Sequence, residues 1–349
     1  MKKICLLITS ICLLIISGCN DNSSIISPDQ NISSDSFIFV AGEGNFYTPN
    51  SGSISYIDDY GNVNVLENIG STIHSVEVYN DMLLVSANGD QKILVYSISD
   101  LGIEYEMEVL TDGQSPRDII VINDKAYFPT WDSDWNVYQT IPGYIKVLDL
   151  NTFEISESIE VGIMPEGMLL HDGYLWVANS GESSVAKINI SSNIAEEFID
   201  VGPGPQFLTN LNDDIYIART FYDENWIPSY GTSKISNDIV EQSTHIFSAG
   251  GACGGSIMSF NDKVYRSFDG GIAEITENLQ INESTRMGNF NQDNVYHIEL
   301  VNNNIFFAIT NYSDLNQVAV LNVYGDLVST YNSGVTPGDF AFWTKSYNR

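Results

Sequence analysis

Between residues 73 and 310 the chain repeats one pattern of apolar and polar positions. A short alternating run opens each unit, an Asn/Asp/Gly turn follows, and a second apolar run carries a large side chain at a fixed offset. The units are "IHSVEVYNDMLLVSA" from Ile73, "PRDIIVINDKAYFPT" from Pro116, "PEGMLLHDGYLWVAN" from Pro165, "PQFLTNLNDDIYIAR" from Pro205, "GGSIMSFNDKVYRSF" from Gly254 and "VYHIELVNNNIFFAI" from Val295. Eleven residues into each stand Leu84, Tyr127, Trp176, Tyr216, Tyr265 and Phe306. Further short runs lie between the units: "KILVYSI", "YIKVLDL", "SVAKINI", "GIAEITE" and "QVAVLNV". Two-residue alternation predicts strands, and about four strands per 40–49 residues is the spacing of a propeller blade. Asn80, Asn123, Asp172, Asn212, Asn261 and Asn302 occupy the turns, where their side chains tolerate left-handed backbone and favour tight hairpins.

A seventh unit is divided between the ends of the chain. "TPGDFAFW", Thr336 to Trp343, is a first strand with no second after it, while Ser36 to Ile69 supplies second, third and fourth strands with no first before them. Joined, they complete one blade and leave no open sheet edge. The predicted fold is therefore all-β: a seven-bladed β-propeller of four-stranded blades over residues 36–349. The ring is closed by pairing of N-terminal strands with the C-terminal strand.

Residues 1–18 read as a lipoprotein signal peptide. Lys2 and Lys3 precede an apolar stretch from Ile4 to Ile16, and Ile16-Ser17-Gly18-Cys19 follows. As a helix the stretch would span about 20 Å, short of the about 30 Å of a bilayer core. The ending resembles a bacterial lipobox, which implies acylation of Cys19, and residues 19–35 are a polar tether. The expected location is outside the cell's inner compartment, lipid-anchored to the outer membrane at its surface or periplasmic face. Cys5, Cys12 and Cys19 belong to leader and anchor, so Cys253 alone remains in the folded part and no intrachain disulfide or cysteine-based metal site is expected.

Without Lys2 and Lys3 the mature chain holds 12 basic against 45 acidic residues, a formal charge of −33. Such a field repels nucleic acid and anionic surfaces. A monomer is expected.

Two features point to a binding face. The loops between second and third strands are long and aromatic in several blades. They carry Phe46 and Tyr47; Trp131, Trp135 and Tyr138; Phe221, Tyr222, Trp226 and Tyr230; and Tyr312. In a propeller these loops share a face with the entries to the innermost strands. Just after each strand start stand His74, Arg117 with Asp118, Glu166, Gln206, His297 and Asp339, which should converge around the channel mouth. Aromatic walls with a few polar groups suit an organic ligand. His74, Glu166 and His297 could instead hold a metal or act as acid and base. "DSDWN" gives Asp132, Asp134 and Asn136 calcium-loop spacing. Val137 replaces the turn glycine and Gly143 the bidentate glutamate, so calcium fits poorly.

"YLWVANSGESSVAKIN" from Tyr174 resembles the YVTN-type (YncE-like) propeller repeats of exported bacterial proteins, and the pattern extends over residues 36 to 343. The second strand departs from it in other blades, reading "YFPT", "YIAR" or "YRSF". Lipobox, tether and ring together are also similar to surface lipoproteins that capture cobalamin for an outer-membrane transporter. The expected function is thus binding of an organic ligand, a corrinoid or other nutrient, or docking onto a transporter. The alternatives are a lyase- or hydrolase-type propeller enzyme and a protein-binding scaffold. Cys19→Ala should abolish acylation and leave unprocessed precursor; mature-sized protein retained in the membrane fraction, read by immunoblot, would contradict the lipobox reading.

Overall fold

The computed structural model describes residues 33–134, 136–222, 224, 225, 227–245 and 255–346. They form seven antiparallel sheets of four strands, a β-propeller, and one short 3₁₀ turn at Asn88–Asp90. Blade 1 runs from Ile73 to Leu110, blade 2 from Gln114 to Ile163, blade 3 from Pro165 to Asp200 and blade 4 from Pro205 to His245. Blade 5 runs from Ile257 to Met287 and blade 6 from Val295 to Asn332. Blade 7 combines Pro337–Thr344 with the three strands Ser36–Gly42, Gly52–Asp58 and Val63–Gly70. All six expected turn residues are left-handed, with φ between 46° and 55°.

Period-two alternation decides which neighbour each blade meets. In blade 7, Phe37, Phe39 and Ala41 pack with Ile73, Val85 and Leu94 of blade 1. The intervening Val40 packs with Phe306, Val318 and Val320 of blade 6. The other apolar clusters likewise fill the wedges between adjacent blades, so the core is a ring of interfaces rather than one central mass. The offset residues Leu84, Tyr127, Trp176, Tyr265 and Phe306 are buried there, and Tyr216 is partly buried. The wedge between blades 4 and 5 has few apolar residues, and Arg219 and Arg266 are buried beside it. Arg266 Nη2 donates to the Arg219 carbonyl at 3.0 Å and Arg219 Nη2 to the Ser243 carbonyl at 2.8 Å.

The ring closes as the split unit requires. Phe37 pairs with Trp343, Phe39 with Ala341 and Ala41 with Asp339. Trp343 stacks on Phe37 with centroids 5.7 Å apart, and its Nε1 donates to Asp81 Oδ1 of blade 1 at 2.9 Å. Truncating one core tryptophan costs about 3–5 kcal/mol. Ending the chain at Val335 removes that ring, Phe340 and a whole ladder, and exposes the edge of Ser36–Gly42. The melting temperature of this truncation should fall by about 10 °C or more; an unchanged value would contradict closure.

Candidate functional site

The innermost strands share a local defect. In blades 1, 3, 4, 6 and 7 the ladder slips just after the strand begins, at His74, Glu166–Gly167, Gln206, Tyr296 and Gly338. In blade 2 the strand is interrupted between Gln114–Pro116 and Ile120–Ile122, with Arg117 and Asp118 in the gap. An extra residue in one strand re-aims side chains away from the ladder. Here the result is a cavity of about 570 Å³ at the channel mouth, lined by residues of all seven blades. Space is tight: a Cβ on Gly167 would stand 2.6 Å from the Gln206 carbonyl oxygen of the next blade.

Of the residues expected there, His74, Arg117, Asp118, Glu166, Gln206, His297 and Asp339 all line the cavity, as do Trp131, Tyr138 and Tyr222. Phe221 and Tyr230 do not. Thr220 and Tyr222 face the cavity, so alternation turns Phe221 to the other side, where its ring centroid is 5.5 Å from the Arg219 guanidinium. Tyr230 lies one strand farther out, paired with Thr220 and His245. Trp135, Trp226 and Cys19 lie outside the described residues.

Trp131 belongs to the strand Lys125–Asp132 rather than to the loop after it. It forms a rim clamp. Its ring stacks on Tyr138 at 5.1 Å, the Arg117 guanidinium lies 4.1 Å from its centroid, and its Nε1 donates to the Pro165 carbonyl at 2.8 Å. Arg117 in turn grips Glu166 through two bonds of 2.9 and 2.7 Å. Among the described lining residues Arg117 is the one lysine or arginine, and Glu166 engages it as a bidentate partner. Asp132 accepts the Asp134 N–H, and Asp134 that of Asn136, so both carboxylates serve local turns. Phe46, Tyr47, Tyr222 and Tyr312 stand exposed around the same rim.

Deeper in the channel an acid chain links consecutive blades. Ser256 Oγ of blade 5 accepts the Ile298 N–H of blade 6, at 3.0 Å. The Glu299 carboxylate of blade 6 accepts the Phe340 N–H of blade 7. Asp339 Oδ2 of blade 7 accepts the Val76 N–H of blade 1 at 2.8 Å, and Glu77 of blade 1 accepts the Val121 N–H of blade 2. Each acid thus satisfies an amide on a neighbour's open inner edge. The crowding is costly. Burial, reinforced by the charge of Asp118, pushes Glu77 and Glu299 up to about 8. Burial and the Asp339 charge push Asp118 up to about 7, and burial and Glu299 do the same to Asp339. Burial lowers His297.

The expected trio of His74, Glu166 and His297 does not assemble. Glu166 is held by Arg117, and His74 Nδ1 faces Glu43 Oε1 at 3.6 Å. The group that converges is His297, Glu299 and Asp339, whose ligand atoms lie within 4.8 Å of one another. Glu43, Glu77 and Glu299 were not anticipated. Glu77 and Glu299 occupy the same place, four residues after Ile73 and Val295, and a carboxylate recurring in "IHSVEVY" and "VYHIELV" is the signal that marks them.

No family model matches this chain, and no curated protein matches it in sequence. Solved structures do. Two Bacteroides proteins, each described as a "putative 6-phosphogluconolactonase", superpose at 12% identity. The one from Bacteroides uniformis has a TM-score of 0.65, covering 89% of this chain and 100% of its own. The one from Bacteroides fragilis has a TM-score of 0.64, covering 88% and 98%. Apo AztD of Citrobacter koseri superposes with a TM-score of 0.54 at 10% identity, over 90% and 99%. At such identities the likeness shows the fold, a β-propeller.

Proposed function

We propose that this protein is an exported, lipid-anchored binding protein whose ring takes up a small organic molecule, neutral or positively charged, at its channel mouth. One observation carries the reading: the cavity of about 570 Å³ has aromatic walls over an acidic floor. Its volume lies in the range of small-ligand sites. Phe46, Trp131, Tyr138, Phe207, Tyr222 and Tyr296 present ring surface, while Glu43, Asp118 and Asp339 present carboxyl groups. Rings attract organic cations through their faces, and sugars and other neutral ligands stack on them.

The same chemistry disfavours an anion. A phosphorylated sugar lactone, the substrate implied by the Bacteroides neighbours' description, calls for cationic partners for its phosphate. The lining offers Arg117, already bridged to Glu166, within a chain of net charge −31. A corrinoid, the ligand of the narrower resemblance, exceeds the cavity and would rest on the exposed rings of Phe46, Tyr47 and Tyr312. That exposure, 78% and 91% for the first two, also favours a second reading in which the rim docks onto a membrane transporter.

Calorimetry on the mature chain with maltose, choline, cyanocobalamin and 6-phosphogluconate tests the reading. Saturable binding of at least one of the first three is expected, with none of the phosphosugar. The pair Tyr138→Ala and Tyr222→Ala should weaken that binding about tenfold or more, since each aromatic contact contributes about 0.5–1.5 kcal/mol. Binding of 6-phosphogluconate alone, or affinity unchanged by the double replacement, would contradict it.

A further inference from the structure

We infer that the channel floor is a binding site for a divalent transition-metal ion, held by His297 and Glu299 of blade 6 and Asp339 of blade 7. The inference goes beyond ligand uptake at the mouth and does not depend on it.

Geometry comes first. His297 Nε2 stands 3.5 Å from Glu299 Oε2, and one ligand atom from each of His297, Glu299 and Asp339 lies within 4.8 Å of the other two. Two donors bound tetrahedrally at about 2.1 Å from one ion are about 3.4 Å apart. The His297–Glu299 spacing is that of two ligands sharing a metal, and Asp339 lies near enough to join them with a small side-chain shift.

Second, the two facing atoms lack other work. His297 Nε2 and Glu299 Oε2 are both sealed from solvent and have no hydrogen-bond partner among the described residues. Buried polar atoms are nearly always satisfied, so such a pair pointing at one another needs an explanation. A metal ion supplies it.

Third, the carboxylates are already oriented. The Phe340 N–H holds Glu299, and the Val76 N–H holds Asp339 through Oδ2. The two carboxyls also hydrogen-bond one another, and the Ser75 hydroxyl bonds Asp339. Fixing ligands from behind in this way is how outer-shell partners prepare a metal site.

Fourth, the charges are crowded: Glu77, Asp118, Glu299 and Asp339 repel one another through the channel, and a divalent ion held by Glu299 and Asp339 would offset that repulsion.

The donor set indicates which ion. Imidazole with two carboxylates suits first-row transition metals, whereas calcium and magnesium favour oxygen alone. Three protein ligands leave a coordination position open, and His297 and Asp339 also line the cavity.

The test uses the mature chain stripped with EDTA, then titrated with ZnCl₂, MnCl₂ and CaCl₂ by calorimetry without any organic ligand. One saturating equivalent of zinc or manganese is expected, with a rise in melting temperature and at least tenfold weaker calcium binding. His297→Gln and Glu299→Gln should each weaken zinc binding at least tenfold, while the exposed Glu283→Gln leaves it unchanged. Only weak, non-stoichiometric binding, or zinc affinity unaltered in both channel variants, overturns the inference. If a variant fails to fold, cobalt-loaded wild-type protein decides. Visible absorption bands that saturate at one equivalent and vanish on adding zinc support the site, and their absence overturns it. Because no organic ligand is present, failure here leaves the reading of the cavity standing.

Discussion

Pairing of Ser36–Gly42 with Pro337–Thr344 is the contact on which the rest depends. Each blade is stable only as a wedge between two others, because both its faces are apolar and neither meets water. Blade 7 has its innermost strand at one end of the chain and its other three at the other. Until they pair, blades 6 and 1 each lack a neighbour, and Val40 and Phe39 have nothing to separate. Trp343 fixes the joint from both sides, stacked on Phe37 and bonded to Asp81. Closure also carries Asp339 into the channel. The cluster with His297 and Glu299 exists only in the closed ring.

A second constraint follows from the first. Every innermost strand presents an unpaired edge to a channel too narrow for another strand, so its amides must find side-chain acceptors. Ser256, Glu299, Asp339 and Glu77 supply them in succession across blades 5, 6, 7, 1 and 2. The latch that joins blades therefore crowds carboxylates together, and their mutual repulsion creates a place where a proton or a metal is favourable. At the mouth the same strands bulge, and Arg117 settles one acid, Glu166, within its fork. Among the described residues, the acids farther along have no arginine or lysine partner. Structure and chemistry in this channel share one origin.

Much of this could be read from the chain itself. The ring came from spacing, since a recurring turn asparagine and an aromatic eleven residues into each unit fix where strands lie. The split blade came from a first strand without a second. The convergence of His74, Arg117, Asp118, Glu166, Gln206, His297 and Asp339 followed because propeller topology places every strand start at one mouth. What was not legible depended on partners. Nothing in "PEG" says that Glu166 would be taken by Arg117, which dissolves the expected metal trio. Phe221 and Tyr222 read alike as loop aromatics until the strand runs through them and alternation sends one away. Glu77 and Glu299 look like the solvent-facing half of an amphipathic strand, because a channel wall and a protein surface have the same local pattern.

The claim at the centre is that ring closure assembles a cation site on the channel floor. Anomalous diffraction from crystals of the mature chain grown with one equivalent of zinc, collected on both sides of the zinc edge, tests it most directly. The account predicts one dominant peak about 2.0–2.2 Å from His297 Nε2 and from carboxylate oxygens of Glu299 and Asp339. An empty channel, with zinc scattered over surface carboxylates, would contradict it.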